Sequence, residues 1–385
     1  MVQSKLSNTG RSVFSEIADL VEETGALDMA MAKTDFPSPK ELLTLSADKL
    51  LMGFNNYASS EGVLELRKVI AERMEEHCGF YYHPETEITI SGGTVQAVYS
   101  AISAFIRDDD EVIVFEPAFE SFVPAIVLNG GKPVYVELKA PEFRIDWEEI
   151  RKVITSKTRM IILNSPHNPT GAVLNAEDMD QLQRLTNGTN IIILSDETFE
   201  SLIYDNQVHQ SIARFEKLRS RSLIVSSPGP VYHINGWGIA YCLAPEELMI
   251  EYRKIQRIQL ANVNAPLQYA LAEYMKEHYS FAEIAELYQG KRNYFNRLLA
   301  QGAYKIIPAQ GGYFEILDYS AVSNEPDRTF VERLAHDYKI GVIPLSSFYH
   351  EKTKSHYIRV CFAKENVHLE EAADRLLNVP VPMKD

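Results

Sequence analysis

The chain has 385 residues, more than one hydrophobic core ordinarily organises, so a large and a small domain are expected. Its hydrophobic content of 45% and charged content of 24% are those of a soluble globular protein, and no apolar run approaches the roughly 20 residues that span a bilayer. A formal net charge of −15 argues against a nucleic-acid or anionic-membrane partner, which leaves a small molecule as the default ligand.

The first ~45 residues read as a helix and an irregular arm, and MVQSKLSNTGRSVFSE lacks the apolar core of a signal peptide. Val63, Leu66, Ile70 and Met74 then fall at helical spacing, with Glu65, Arg67, Lys68, Glu72 and Arg73 on the other side. From Glu87 onward, short β-branched runs alternate with helices: EVIVFEP (111–117), KPVYVEL (132–138), RMIILN (159–164), NIIILSDE (190–197) and SLIVSS (222–227). Uninterrupted apolar strands bounded by helices predict a mostly parallel sheet covered on both faces. Ligands of such sheets sit beyond the carboxyl ends of the strands, where Asn164 to Asn168, Asp196 and Ser226 to Ser227 cluster. A long helical stretch (about 246–300) follows, and GGYFEILDY, KIGVIPL and YIRVCFA predict a smaller α+β domain ending in a helix. The expected division is an N-terminal arm over 1–45, a large domain over 46–280 and a small C-terminal domain over 281–385. Cys78, Cys242 and Cys361 lie far apart with no metal-ligand spacing, as expected of reduced structural thiols in a cytoplasmic protein.

Eight segments in order carry a resemblance: NNYASSEGVLELR, ITISGGTVQAVYSAI, VFEPAFESFVPAI, ILNSPHNPTGAV, ILSDETFE, YHINGWGIAYC, GGYFEILDYS and YIRVCFAK. Together they resemble the class I, fold-type-I, pyridoxal-phosphate-dependent aminotransferases, most closely the branch of methionine, kynurenine and glutamine transaminases. The resemblance implies an α/β fold, a large domain with a mostly parallel sheet plus a smaller C-terminal α+β domain. It also assigns roles. Gly93, Thr94 and Val95 open a helix after a strand, a setting suited to a phosphate. Phe119 matches the aromatic stacked on the cofactor ring, Asn168 the partner of the ring oxygen, and Asp196 the carboxylate that keeps the ring nitrogen protonated. Ser227 matches a phosphate contact, and Tyr57 a tyrosine reaching the phosphate from the partner subunit, which implies a homodimer with shared sites. Arg359 matches the arginine that grips the substrate α-carboxylate with its planar fork.

The pattern breaks around residue 230. The family reads roughly S-x-G-K-x-Y-H-x-x-G-W-[RK]-x-G-Y, whereas this chain reads Ser227-Pro228-Gly229-Pro230-Val231-Tyr232-His233-Ile234-Asn235-Gly236-Trp237-Gly238-Ile239-Ala240-Tyr241. Pro230 thus stands for the cofactor-binding lysine, Gly238 for the basic residue on the phosphate, and Phe199 for a tyrosine. Proline has no amine to hold a cofactor or move a proton. Glycine removes a charge-assisted contact worth roughly 1.5–3 kcal/mol. At the cleft entrance, a Gly-Phe-Pro-Asp-Phe-like segment is replaced by Ala32-Lys33-Thr34-Asp35-Phe36. Ala32 is a candidate substrate contact. Lys33 is either a solvated surface lysine or a side chain that binds a substrate acid group or supplies a relocated amine. Glu315 reads as a strand edge facing water, with an active-site acid as the alternative.

The leading expectation is a repurposed enzyme for an amino acid or keto acid, acting by condensation, cyclisation or another acid–base step. No cofactor would be covalently bound, and Asp196, Lys33 and Tyr232 are the candidate proton carriers. A non-catalytic amino-acid-binding regulator is one alternative. Another is an enzyme that holds pyridoxal phosphate, or its amine form pyridoxamine phosphate, noncovalently.

Overall fold

The computed structural model describes residues 5–6, 9–278, 281–351 and 355–382. Seven strands form the main sheet in the spatial order Ile88–Ser91, Ala240–Leu243, Ser222–Ser226, Ile192–Asp196, Thr158–Asn164, Glu111–Glu116, Lys132–Glu137. All pairings are parallel except those of Ala240–Leu243, which runs against both neighbours. Strand period decides what each face buries. Val112, Val114, Met160, Ile162, Ile192, Leu194, Leu223 and Val225 turn to one side, under Ala97, Val98, Ala101 and Ile102 of helix Thr94–Phe105. Ile113, Ile161, Ile193 and Ile224 turn to the other, into a core continuous with Ile316, Leu317, Ile358 and Val360. Burying each such side chain contributes about 1.5–3 kcal/mol, which is why the runs carry almost no polar residue before their carboxyl ends.

A second sheet of four antiparallel strands has the order Ile343–Pro344, Tyr357–Cys361, Phe314–Asp318, Lys305–Ile307. The N-terminal segment joins this part of the molecule. Helix Val13–Thr24 ends at Gly25, whose φ of +62° closes the turn, and Leu27–Asp28 then pairs in parallel with Ile340–Gly341. No helix among the described residues is long and apolar enough to cross a membrane.

Four expectations are revised or limited by the structure. The stretch over 246–300 is three helices, Glu246–Gln259, Ala265–Glu277 and Ala282–Leu299, interrupted where Asn264 caps the second and Pro266 starts it. The division expected near 280 falls at residues 279–280, which lie outside the described residues. In helix Leu64–Cys78, Arg67 and Arg73 are not on a solvent face but buried. Their guanidinium groups are satisfied internally: Arg67 donates to the carbonyls of Gly62 and Pro84, and Arg73 donates to Ser201 Oγ and lies over the Phe281 ring. Glu315 is fully buried and sits in a central strand, between Tyr357–Cys361 and Lys305–Ile307, so it is neither at an edge nor facing water. A partner strand on each side, invisible to local pattern, encloses it. The three cysteines are free, with Cys242 and Cys361 buried and Cys78 half-buried.

Candidate active site

The carboxyl ends of the central strands open into a cleft of about 370 Å³. Asn164 and Asp196 close adjacent strands in register, and Asn164 Nδ2 donates to the Asp196 carbonyl at 3.0 Å. Asn164 Oδ1 accepts from the Asn168 amide at 2.8 Å, and Asn168 Oδ1 accepts from Arg359 Nη1 at 2.8 Å. One hydrogen-bonded chain thus runs from the strand ends to Arg359. Asp196 is buried, and Thr198 donates to its Oδ1 twice, from Oγ1 at 2.5 Å and from the backbone at 3.1 Å. Burial raises the Asp196 carboxyl above its ordinary range, and the Thr198 hydrogen bonds partly oppose this.

The opposite end of the cleft is built by a turn and a helix start. Strand Ile88–Ser91 passes through Gly93, at φ +89°, into helix Thr94–Phe105, and Gly92, Gly93, Thr94 and Val95 line the cleft. A Cβ on Gly93 would lie 3.9 Å from Gly238 Cα, which brings the Ser227–Ile239 segment against this helix end. Ser227, Pro230, Asn235, Gly238 and Ile239 form that wall. Phe119, Phe199, Tyr313 and Phe314 supply aromatic surface, and Ala32 lines the entrance.

Arg359 lies just behind the cleft surface and is fully buried. Its Nη2 donates to the Ala30 carbonyl at 2.6 Å, while Nε has no partner among the described residues. The guanidinium stacks on Phe314, 3.9 Å from the ring centre, and Phe14 of the N-terminal helix approaches its other side at 5.3 Å. Phe14 also lies 5.9 Å from Phe119, so helix Val13–Thr24 roofs the carboxylate end. Desolvation pulls the Arg359 pKa down to about 10, still charged at neutral pH. A buried arginine with one open donor and only neutral partners is poised for an incoming carboxylate.

Of the sequence candidates, the fold gathers Ala32, Gly93, Thr94, Val95, Phe119, Asn168, Asp196 and Ser227 in one cleft, with Arg359 directly behind Asn168. Three others stand elsewhere. Tyr232 is buried, and its hydroxyl donates to the His278 carbonyl at 3.1 Å, away from the cleft; the short helix Gly229–Tyr232 turns it outward from the wall that Pro230 lines. Lys33 is exposed and is not part of the lining, although its carbonyl accepts from Lys364 Nζ at 2.9 Å. Tyr57 is 85% exposed on this chain. Sequence reasoning missed Thr198, Asn235, Tyr313 and Phe314. Asn235 Nδ2 donates to the Tyr313 hydroxyl at 3.1 Å. Thr198 could have been found from its position two residues past a strand-end aspartate, where a hydroxyl readily bonds back.

Residues 28–376 match the family described as aminotransferase class I and II. The chain belongs to this family. It is 36% identical over 377 residues to a methionine aminotransferase of Escherichia coli, covering 97% of each chain. The corresponding crystal structure superposes with a TM-score of 0.93 over 98% of this chain and 99% of that one. An aromatic-amino-acid aminotransferase of Thermococcus litoralis is 30% identical, with 98% of each chain covered. The structure of N-succinyldiaminopimelate aminotransferase from Mycobacterium tuberculosis, 28% identical, gives a TM-score of 0.95 over 99% of this chain and 100% of that one.

The family implies pyridoxal phosphate as cofactor, and the cleft fits only half of that group. At the Asp196 end, a buried carboxylate, the Asn168 amide and Phe119 suit a protonated aromatic ring. At the other end none of the described lining residues is a lysine, arginine or histidine. Among the described lining residues of this chain there is neither a side-chain amine nor a side-chain cation at the phosphate end. The residues present do not fit the cofactor as a whole.

Proposed function

We propose that this aminotransferase-family protein is an enzyme that takes an amino acid or keto acid into the cleft and works on it without a lysine-bound cofactor. The observation that carries the reading is the wall: Pro230 lines the cleft where the family pattern has its lysine, and no other described lining residue supplies an amine. The carboxylate grip is retained at the same time, in Arg359 with its open Nε.

The residues define what such an enzyme can do. Arg359 receives the ligand carboxylate, and Asn168 orients the guanidinium by accepting from Nη1. The Phe14 roof excludes water from that charge pair and strengthens it. Proton transfer falls to Asp196 and Tyr313, the titratable side chains among the described lining residues. Burial raises the pKa of both, so the carboxyl is the better base near neutral pH and the phenol a hydrogen-bond donor. Condensation, cyclisation or enolisation of a carboxylate substrate all suit this set. We also propose a homodimer with shared sites; Leu51, Met52 and Tyr57, 85%, 70% and 85% accessible, are exposed apolar side chains that a partner would cover.

The test is to titrate the protein with pyridoxal phosphate, reduce with borohydride and record the intact mass. An unchanged mass is expected, and Pro230→Lys should gain the reduced adduct. An adduct on the wild-type chain would overturn the reading. Calorimetric titration with amino acids and keto acids should find a ligand whose affinity falls at least roughly tenfold in Arg359→Lys, because a point charge replaces the fork; binding indifferent to Arg359 would sink the substrate assignment.

A further inference from the structure

The cleft discriminates by charge. Its single ionisable acid is Asp196, and its described lining contains no basic side chain to offset it. Arg359 is buried behind Asn168 at the carboxylate end. The chain as a whole carries a formal charge of −15, which opposes any dianion approaching from solvent.

The donors at the Ser227–Gly238 end are also largely committed. Ser227 Oγ donates to the Ile239 carbonyl at 2.8 Å and accepts from the Gly229 amide at 3.0 Å. The Gly92 amide donates to Gln96 Oε1 at 3.0 Å, the Gly93 amide to the Ser91 carbonyl at 2.9 Å, and the Gly238 amide to the Asn235 carbonyl at 3.3 Å. Within one chain, what remains is the first turn of helix Thr94–Phe105, whose Thr94 and Val95 amides have no intrahelical acceptor, and a partner's tyrosine would add no positive charge. A helix end offers the equivalent of about half a positive charge. A phosphate monoester brings about −1.5 to −2. The turn alone leaves most of that charge unmatched.

The Asp196 end has the opposite character. A buried carboxylate stands on the floor, its Oδ1 held by Thr198 and its other oxygen free of any donor among the described residues. Phe119, Phe199, Tyr313 and Phe314 surround the space above it. Aromatic walls over a buried carboxylate select a flat ring that carries a protonated nitrogen.

We propose that the Asp196 end of this cleft takes an unphosphorylated nitrogen heterocycle, neutral or cationic overall, and rejects the phosphate esters for which its family is built. The inference rests on the reading of this cleft as the ligand site and narrows what occupies it. Discrimination comes from two sides: Asp196 attracts the protonated ring, and the Ser227–Gly238 wall leaves a phosphate unpaired.

Pyridoxamine and pyridoxamine 5′-phosphate form a matched pair that differs only in the phosphate, and calorimetric titration of the full-length protein with each decides the question. Pyridoxamine should bind roughly tenfold more tightly, because the phosphate ester would bring a charged group against a wall that leaves it desolvated and unpaired. Asp196→Asn should weaken that binding about tenfold. A cation introduced at the wall should reverse the order, either as Gly238→Arg or, because Gly238 sits at φ +62° where side chains are strained, as Val95→Lys at an exposed lining position. Equal or tighter binding of the phosphate ester by the wild type would overturn the proposal, and so would no binding of either compound. In that last case an amino acid that still binds through Arg359 would leave the proposed function standing, whereas ring binding without any Arg359-dependent ligand would do the reverse.

Discussion

Asp196 and Glu315 are both buried carboxylates in central strands, and burial raises the pKa of both, that of Glu315 to about 7. Only one of them faces a cleft. Asp196 is the last residue of its strand, so its side chain leaves the sheet into the space that also exposes Asn168 and Phe119. Glu315 is the second residue of its strand, enclosed between two partners, with Oε1 accepting from Asn296 Nδ2 and the Ala309 amide. Its Oε2 has no partner among the described residues. A perturbed buried acid is therefore not by itself the mark of a ligand site; the strand end is what converts burial into binding.

Substitution should separate the two. The largest effect is expected at Glu315. Its pKa is higher folded than unfolded, so the protonated form is the one the fold favours. The stability it contributes is fully present below about 4.5 and is lost as pH rises through about 7. That rise corresponds to on the order of 3 kcal/mol. Glu315→Gln keeps the Oε1 acceptor and removes the charge, so denaturant unfolding at pH 8 should show a gain of that order. The gain should vanish near pH 4, with cleft ligands bound as before. A flat difference across pH would mean the carboxylate is solvated by rearrangement.

Asp196→Asn should show the converse pattern. It too relieves a buried charge and should stabilise modestly, but it should cost about tenfold in affinity for a ring ligand. Unaltered ring affinity would place Asp196 with Glu315 as a structural acid. The smallest change is expected from Phe199→Tyr. Phe199 packs edge-on against Tyr313, with ring centres 5.0 Å apart, and a restored hydroxyl should alter ring-ligand affinity by no more than about threefold. A larger gain would show that the missing hydroxyl limits the site.

Much of this was legible in the chain. Uninterrupted apolar runs became the parallel strands, because a strand covered on both faces has no polar position until it ends. The polar residues that closed those runs, Asn164, Asn168 and Asp196, are the ones the fold assembles at the cleft floor. Gly93 was readable as a turn into a helix for the same local reason. Tyr232, Lys33, Arg67, Arg73 and Glu315 were not readable. Their fates turn on which segment packs against them: the end of helix Ala265–Glu277 for Tyr232, the loop at Ser201 for Arg73, and two flanking strands for Glu315.

Sequence alone determined the family and the order of elements, since these depend on local periodicity and on side-chain chemistry at fixed spacing. Tertiary structure decided that no lysine, arginine or histidine is among the described residues lining the cleft, that Arg359 lies under Phe14, and that Glu315 is sealed between strands. Those facts depend on contacts between residues hundreds of positions apart, which no local pattern encodes.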